Sequence, residues 1–387
     1  MKAARLALAS ISLLALAPAC SARGHELGEL PEAATIERGP AREPLVLAHG
    51  GQGSPASQSE GPARAVERGH ALLREGGDPL EVAIATIEVL EDDPNFNAGT
   101  GSNLRLDGRT IEADAAVMDD RGRFGAVAGV SGIRHPVRLA ERVAGTPHLL
   151  IAGVGAMALA ARLGLEPADL WAEPARIRLE RGYERLLDSE PGEAAIWPGF
   201  DWRAHWNFEG EPPADLAAAR AMIAAGEAAR VQPTSIGPSS LGPSSIDPPN
   251  DTQDTVGVVV RTAEGRYAAA LSTGGTTLAL RGRIGDVPLL GDGLYAGPHG
   301  AVAATGKGEA IIREQVAREV YRRLAAGLSP NDAIRLAIRD IRPDEGVGVI
   351  AVGESGWGAV ASSQMAWALR EGDTLQRADD FVQHVGR

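Results

Sequence analysis

The first candidate for chemistry stands where a Gly/Pro/Ser tether stops. Ile236-Gly237-Pro238-Ser239-Ser240 is echoed at once by Leu241-Gly242-Pro243-Ser244-Ser245, and Pro248-Pro249 follows. The chain then turns abruptly into Gln253-Asp254-Thr255-Val256-Gly257. Taken alone, Asp-Thr-Val-Gly is an ordinary way into a strand. A threonine hydroxyl, however, is a weak nucleophile that needs a base beside it. Were the bond between Asp254 and Thr255 cut, Thr255 would gain a free α-amine. The ordinary pKa of that amine, about 7.7–8.0, is near enough to neutral for it to take its own hydroxyl's proton. Nucleophile and base would then share one residue.

Other groups that suggest chemistry have simpler explanations. Gly153-Val154-Gly155-Ala156-Met157-Ala158 after a strand fits a dinucleotide fingerprint but lacks a second βαβ half, and a tight turn into a helix explains it. The run His49-Gly50-Gly51 is similar to a lipase oxyanion loop, yet the chain has no Gly-x-Ser-x-Gly elbow. His49, His70, His135, His148 and His299 show no metal-ligand spacing. Asp92-Asp93 and Asp119-Asp120 lie in turn contexts and read as solvated carboxylates. The single cysteine, Cys20, excludes a disulfide framework and a cysteine-based metal site.

Alternating strands and helices are needed to position the Thr255 region. Pro44 to Ala48 reads as an apolar strand. Asp78 is an N-cap, with Pro79 at the first helical position, Glu81 three residues after the cap, and Ile84, Ile87 and Leu90 on one face. Ile111 to Met118 and Phe124 to Val130 read as a hairpin turned by Asp120-Arg121-Gly122. His148 to Ala152 is a further strand, and Gly155 to Leu163 a further helix. Four tryptophans, Trp171, Trp197, Trp202 and Trp206, fall between Pro167 and the tether, so that stretch should pack. Beyond the tether, Val256 to Arg261 and Arg266 to Leu271 read as paired strands, and Glu309 to Leu324 as one helix. Another helix starts at the Ser329 cap, and two strands, Gly348 to Val352 and Trp357 to Ala361, close the pattern.

The chain has 387 residues, 44% of them apolar and 23% charged, so it is globular in composition. Its 48 glycines point to tight turns and close backbone approaches. Lys plus Arg is 38 against 51 for Asp plus Glu, a net of -13 with no basic tract, which argues against a nucleic-acid partner. At the start, Lys2 and Arg5 precede the apolar run Leu6 to Leu16, which is too short to span a bilayer, and Ala17-Pro18-Ala19-Cys20 closes it. This resembles a bacterial lipoprotein signal. The expectation is export, to the periplasm or to a membrane anchor through a lipid on Cys20, with ordinary cleavage after Ala19 as the alternative.

Six ordered motifs together resemble the plant-type asparaginase and isoaspartyl peptidase family of N-terminal nucleophile hydrolases. They are His49-Gly50-Gly51, Asp93 to Ser102 with Asn97-Ala98-Gly99-Thr100-Gly101, the Thr255 segment, Thr273-Gly274-Gly275, Arg281 to Asp286 with Gly291 to Ala296, and Thr305-Gly306-Lys307-Gly308-Glu309. The resemblance implies an α+β fold, a four-layer αββα sandwich. It implies self-cleavage into an α-chain ending at Asp254 and a β-chain from Thr255 to Arg387. Thr255 would be the nucleophile, Thr273 the second threonine tuning its amine, and Asn97 its support. Arg283 would grip the substrate α-carboxylate, a task suited to a planar fork of donors. Asp286 would hold the α-ammonium, and Thr305 with Gly306 would stabilise the oxyanion. No cofactor takes part. A structural sodium ion bound by the backbone carbonyls of Leu90, Glu91, Asp93, Phe96, Ala98 and Thr100 is implied, as is a dimer of αβ pairs.

The expected domain order is a signal peptide at 1–19, a polar tether at 20–42, and one hydrolase domain, with an insertion at about 167–229 and a linker at about 230–251. The implied reaction is hydrolysis of L-asparagine and of β-aspartyl peptides. A glycosylasparaginase is the alternative, although that family more often carries Thr-Asn-Gly where Thr273-Gly274-Gly275 stands. A non-catalytic surface lipoprotein on the same fold is a third reading. Gln253 stands where many members carry His. Thr276-Thr277-Leu278 and Lys307 also depart from the pattern, and both bear on leaving-group preference.

Overall fold

The computed structural model of the chain describes residues 42–187, 197, 199–230, 255–342 and 344–378. All of these belong to one unit, 38–387. The signal segment, Cys20, the polar stretch before Arg42, the linker after Arg230 and Asp254 lie outside the described residues.

The elements run β1 (Leu45–Gln52), α1 (Glu60–Arg74), α2 (Pro79–Glu91), β2 (Ala113–Asp119), β3 (Phe124–Val130), α3 (Pro136–Ala144), β4 (Leu150–Ala152), α4 (Gly153–Arg162), α5 (Glu173–Leu187) and α6 (Leu216–Ala228). After the linker come β5 (Val256–Arg261), β6 (Tyr267–Thr273), β7 (Leu294–Gly297), β8 (Gly300–Gly306), α7 (Gly308–Glu314), α8 (Val316–Ala325), α9 (Pro330–Ile338), β9 (Val347–Gly353), β10 (Gly356–Ala361), β11 (Met365–Glu371) and β12 (Thr374–Arg377). One sheet has the order β12-β11-β1-β5-β6-β2-β3-β4 and the other β10-β9-β8-β7.

Strand alternation explains the layering. Along β1, Val46 and Ala48 enter one core while Leu47 enters another; along β5, Val256, Val258 and Val260 part from Val259 in the same way. A strand buried on both faces needs a layer on each side. The first core sits between the large sheet and α1 to α3, including Val66, Ile84 and Val137. The second lies between the two sheets, where Leu271, Ile350 and Trp367 meet. The third packs Val302 and Val349 of the small sheet against Val320 of α8 and Ile334 of α9. The result is the expected αββα sandwich, in which each fully buried aliphatic side chain is worth about 1.5–3 kcal/mol.

The capping residues behave as their types dictate. Asp78 accepts from Leu80 N at 3.1 Å, and Ser329 accepts from Asp332 N at 3.2 Å. Glu81 does not fold back on the cap; it pairs with Arg138 of α3 at 2.8 Å. The tryptophan-rich stretch packs as expected: Leu179, Tyr183, Trp202 and Ile223 form a fourth cluster with Leu104, Leu106 and Leu278.

Two expectations need correction. Glu309 to Leu324 is two helices, α7 and α8, broken at Gln315 with φ 48°. The break frees the first N–H groups of α8 to reach out of the helix, and Ala317 and Arg318 donate to the carbonyls of Asp292 and Gly291 at 3.0 and 2.7 Å. Asp93, Asp119 and Asp120 are buried rather than solvated. Asp119 caps its own hairpin turn through Arg121 N and Arg123 N, and Asp120 meets Arg266 Nε at 2.8 Å.

Candidate active site

Strand direction gathers the expected residues at one end of the sandwich. The register pairs Val256 with Ser272, so Thr255 stands one step beyond, across from Thr273, and Thr273 is itself paired with Asp114 on β2. Gly306, at the end of β8, is paired with Val347 at the start of β9. The end of β1 joins the two sheets there, because Gln52 N donates to Thr305 Oγ1 at 3.1 Å. Thr255, Thr273, Thr305, Asn97 and Asp286 are all buried.

Each threonine has a definite environment. Thr305 accepts from a backbone N–H, which leaves its hydroxyl hydrogen available to another acceptor. Thr273 Oγ1 accepts from Gly275 N at 3.0 Å and so starts a turn that Asn97 completes. Asn97 donates to Gly275 O at 2.8 Å, accepts from Asn103 N at 2.8 Å, and its carbonyl takes Gly274 N at 3.1 Å. A Cβ on Gly274 would come within 2.6 Å of Asn97 Oδ1, so glycine is needed there. Gly306, with φ 126°, leaves no room either, since a Cβ would meet Gly346 O at 2.2 Å. His49 packs against Gly257, where a Cβ would stand 2.3 Å from Nε2, and burial pushes the ring down to about 3, so it is neutral.

Arg283 and Asp286 converge on Gly308. A Cβ there would lie 2.6 Å from one Arg283 guanidinium nitrogen and 3.1 Å from Asp286 Oδ1. Asp286 Oδ2 is buried without a hydrogen-bond partner, and burial raises the carboxyl to about 7. Arg283 meets Glu309 Oε1 through Nε and Nη2 at 3.1 and 3.0 Å. Burial alone would raise Glu309, but the Arg283 charge beside it holds the carboxyl below its ordinary range. A planar cation and a buried carboxyl with one oxygen unpartnered, so close together, are complementary to an amino-acid zwitterion. Gly308→Ala places a methyl in that cradle at a helical position alanine accepts. The expected result is a KM for amino-acid substrates raised about tenfold or more with the melting temperature unchanged; an unchanged KM would contradict the cradle.

Residues that the sequence reading did not single out hold these loops. Asp114 accepts from Gly129 N at 2.8 Å and Gly285 N at 3.4 Å, tying the Arg283–Asp286 loop to the strand beside Thr273. Arg105, fully buried, reaches Glu112 Oε2 at 3.2 Å, Gly274 O at 3.3 Å and Arg283 O at 3.4 Å. Glu112 also takes Gly282 N at 2.7 Å. The available signal was charge inside a strand of small residues: Glu112 and Asp114 interrupt Ile111 to Met118.

The loop from Leu90 to Gly101 doubles back on itself. Thr100 N donates to Glu91 O at 2.7 Å and Phe96 N to Asp93 O at 3.1 Å. A Cβ on Gly101 would come within 2.5 Å of Pro94 O and 2.6 Å of Phe96 O, so these carbonyls crowd together. Carbonyl oxygens are the ligand type that hard cations take. The loop is tied to the site through the buried Glu91, which accepts from Ser272 Oγ at 2.6 Å and which burial raises to about 8. Among the described residues no cluster of three or more His, Cys, Asp or Glu side chains could hold a metal.

A cavity of about 1010 Å³ opens beside these groups. Arg283, Gly306 and Glu309 line it, as do Trp197, Phe200 and Asn207 from the middle stretch. Thr255, Thr273 and Thr305 are not among its lining residues.

A four-layer sandwich with a threonine at the head of a central strand defines an N-terminal nucleophile hydrolase fold. A family profile described as asparaginase matches residues 43–190 and 207–378, most of the described chain. The isoaspartyl peptidase/L-asparaginase of Danio rerio is 32% identical over 361 residues, covering 88% of this chain and 98% of that protein. The human protein of the same name is 32% identical over 345 residues, covering 86% and 94%. The plant-type L-asparaginase of Pyrococcus furiosus is 32% identical over 325 residues, covering 80% and 90%. The chain belongs to the plant-type asparaginase and isoaspartyl peptidase family, and it is a hydrolase.

Proposed function

We propose that this protein is an autoprocessing threonine hydrolase that cleaves L-asparagine and β-aspartyl peptides through an aspartyl ester on Thr255. The observation that carries the substrate class is the convergence on Gly308 of Arg283 and Asp286, whose Oδ2 is buried and unpartnered. In the continuous chain the nitrogen of Thr255 is an amide and cannot act as a base. Cleavage after Asp254 makes it an amine. That amine takes the Thr255 hydroxyl proton as the oxygen attacks the side-chain carbonyl carbon of the bound substrate. Arg283 exchanges Glu309 for the substrate α-carboxylate, and Asp286 takes the α-ammonium. The hydroxyl of Thr305, oriented by Gln52 N, and the N–H of Gly306 receive the oxyanion, where one donor is typically worth about 2.7–4 kcal/mol. The amine then passes its proton to the leaving nitrogen, the C–N bond breaks, and water hydrolyses the ester.

Asn97 and Thr273 are positioning residues in this scheme: they fix the turn at Gly274 and Gly275 beside the nucleophile. A sodium ion on the carbonyls of Leu90, Glu91, Asp93, Phe96, Ala98 and Thr100 would stiffen the loop that presents Asn97. The same reading takes residues 1–19 as an export signal and Cys20 as a lipidation site.

The test is a denaturing gel of the purified protein with N-terminal sequencing of the smaller band, alongside ammonia release from L-asparagine. The expected sequence is Thr-Val-Gly-Val-Val. An unbroken chain with full activity, or a break elsewhere, would overturn the proposal.

A further inference from the structure

The sequence predicts only packing for the stretch between α4 and the linker, yet two of its polar side chains reach the two halves of the site. The first is Arg178 on α5, whose neighbours Leu179 and Tyr183 are seated in the fourth cluster. Arg178 is completely buried. Taking a guanidinium out of water is costly and is sustained only where its donors are met. Its Nε donates to Asn103 Oδ1 at 2.7 Å and its Nη2 to Gly101 O, while Gly101 N donates to Leu170 O at 2.9 Å.

This contact decides which way Asn103 faces. A guanidinium has no acceptor, so Asn103 turns its oxygen toward Arg178 and its amide nitrogen toward Gly275 O, 2.8 Å away. Gly275 O also takes Asn97 Nδ2 at 2.8 Å, so two donors fix it. The N–H of the same glycine occupies Thr273 Oγ1 at 3.0 Å. An unbroken series of bonds therefore runs from Arg178 through Asn103 and Gly275 to the threonine that stands across from Thr255.

The second is Asn207, an exposed residue between Trp206 and Phe208, both of which pack on the fourth cluster. Leu280 O accepts from Arg283 N at 3.2 Å, closing a turn around Arg281 and Gly282. Asn207 Oδ1 accepts from Arg281 N at 3.1 Å and its Nδ2 donates to Arg281 O at 2.9 Å. One amide thus grips both polar groups of the turn's first central residue, and Arg283 leaves the turn in the direction so fixed.

We propose that Arg178 and Asn207 are positioning residues for the hydrolysis, Arg178 acting on the threonine pair and Asn207 on the guanidinium that receives the substrate carboxylate. The inference rests on the roles given to Thr255 and Arg283 under the proposed function. It divides the middle stretch between the two kinetic constants: Arg178 serves kcat and Asn207 serves KM. A stretch that merely filled space would affect both together.

The test is steady-state turnover of L-asparagine, with kcat counted per cleaved molecule, together with the affinity for L-aspartate by calorimetry and the melting temperature. Asn207→Ala, at an exposed position, should raise KM and weaken L-aspartate binding by about threefold to tenfold, with kcat and melting temperature unchanged. Arg178→Met removes the donors and should lower kcat by about tenfold or more while L-aspartate still binds, and Arg178→Lys should recover part of the loss. Should Arg178→Met fail to fold, Asn103→Asp decides: it keeps an acceptor for Arg178 but sets a carboxylate against Gly275 O, so kcat should fall with KM unchanged. The proposal is overturned if Asn207→Ala leaves KM at the parent value, if Asn103→Asp keeps the parent kcat, or if the variants lose kcat and KM together in step with melting temperature. A parent protein that neither cleaves itself nor releases ammonia from asparagine sinks the hydrolase reading and this inference with it; a parent that does both, with variants like it, sinks this inference alone.

Discussion

Thr255→Ala should remain one unbroken polypeptide and should hydrolyse neither asparagine nor β-aspartyl peptides, a loss of at least about 10⁴-fold by analogy with other removed nucleophiles. Both effects follow from one atom. The hydroxyl is the only group of Thr255 that can attack the Asp254 carbonyl, and after cleavage the same oxygen attacks substrate. The substitution also leaves the nitrogen in an amide, so the base is lost together with the nucleophile. Misfolding does not offer an alternative cause, because Thr255 precedes β5 and the apolar residues that seat this strand, Val256, Val258, Val259 and Val260, are untouched. An intact mass measurement separates the possibilities. Two chains in the alanine variant would mean that some other group performs the cut, and the nucleophile assignment would fall.

The parts of the fold visible in the sequence were those with strong local signals. Asp78-Pro79 and Ser329-Pro330 specify helix starts through side-chain oxygens and a preset φ, and both helices begin there. The hairpins β2–β3 and β5–β6 are marked by alternation around short polar turns. What escaped notice depends on distant partners. β8 and β11 are rich in alanine, Gly-Ala-Val-Ala-Ala and Ala-Trp-Ala-Leu, a composition as suited to helix as to strand. They become strands because β9 and β1 lie beside them. The break at Gln315 has no local cause either, since it is set by the 291–292 turn that receives the N–H groups of α8. At the candidate site, the motifs named Thr255, Thr273, Arg283, Asp286 and Thr305. They could not reveal that Asp114 and Arg105 hold those loops, because these contacts join segments far apart in sequence.

The second large effect concerns acidity at Asp286. The KM for asparagine should rise as the pH is lowered below about 7, approaching tenfold per unit, and should level off above it. Burial disfavours the charged carboxylate and Arg283 only partly offsets this, so the free enzyme binds a proton at Asp286 near neutral pH. A protonated acid offers no charge to the substrate α-ammonium, and binding must expel that proton first. Asp286→Asn, neutral throughout, should hold KM high and independent of pH. The effect is distinguishable from the Thr255 amine, whose loss of a proton acts on kcat with a midpoint near about 7.7–8.0.

Stability should run in the opposite direction to binding. Because the folded-state pKa of Asp286 lies above the ordinary aspartate value, the native chain binds more protons than the unfolded one between about pH 4 and 7. Ionising this group therefore costs stability as the pH rises through that window. Asp286→Asn should consequently melt higher than the parent at pH 8 while binding substrate poorly. A site residue that weakens the fold when charged, and whose removal strengthens the fold at the expense of KM, is held in the core for its ligand. If KM is flat from about pH 5 to pH 8 in the parent enzyme, or titrates identically in the asparagine variant, then Asp286 does not hold the ammonium and the zwitterion cradle at Gly308 must be assigned to another ligand.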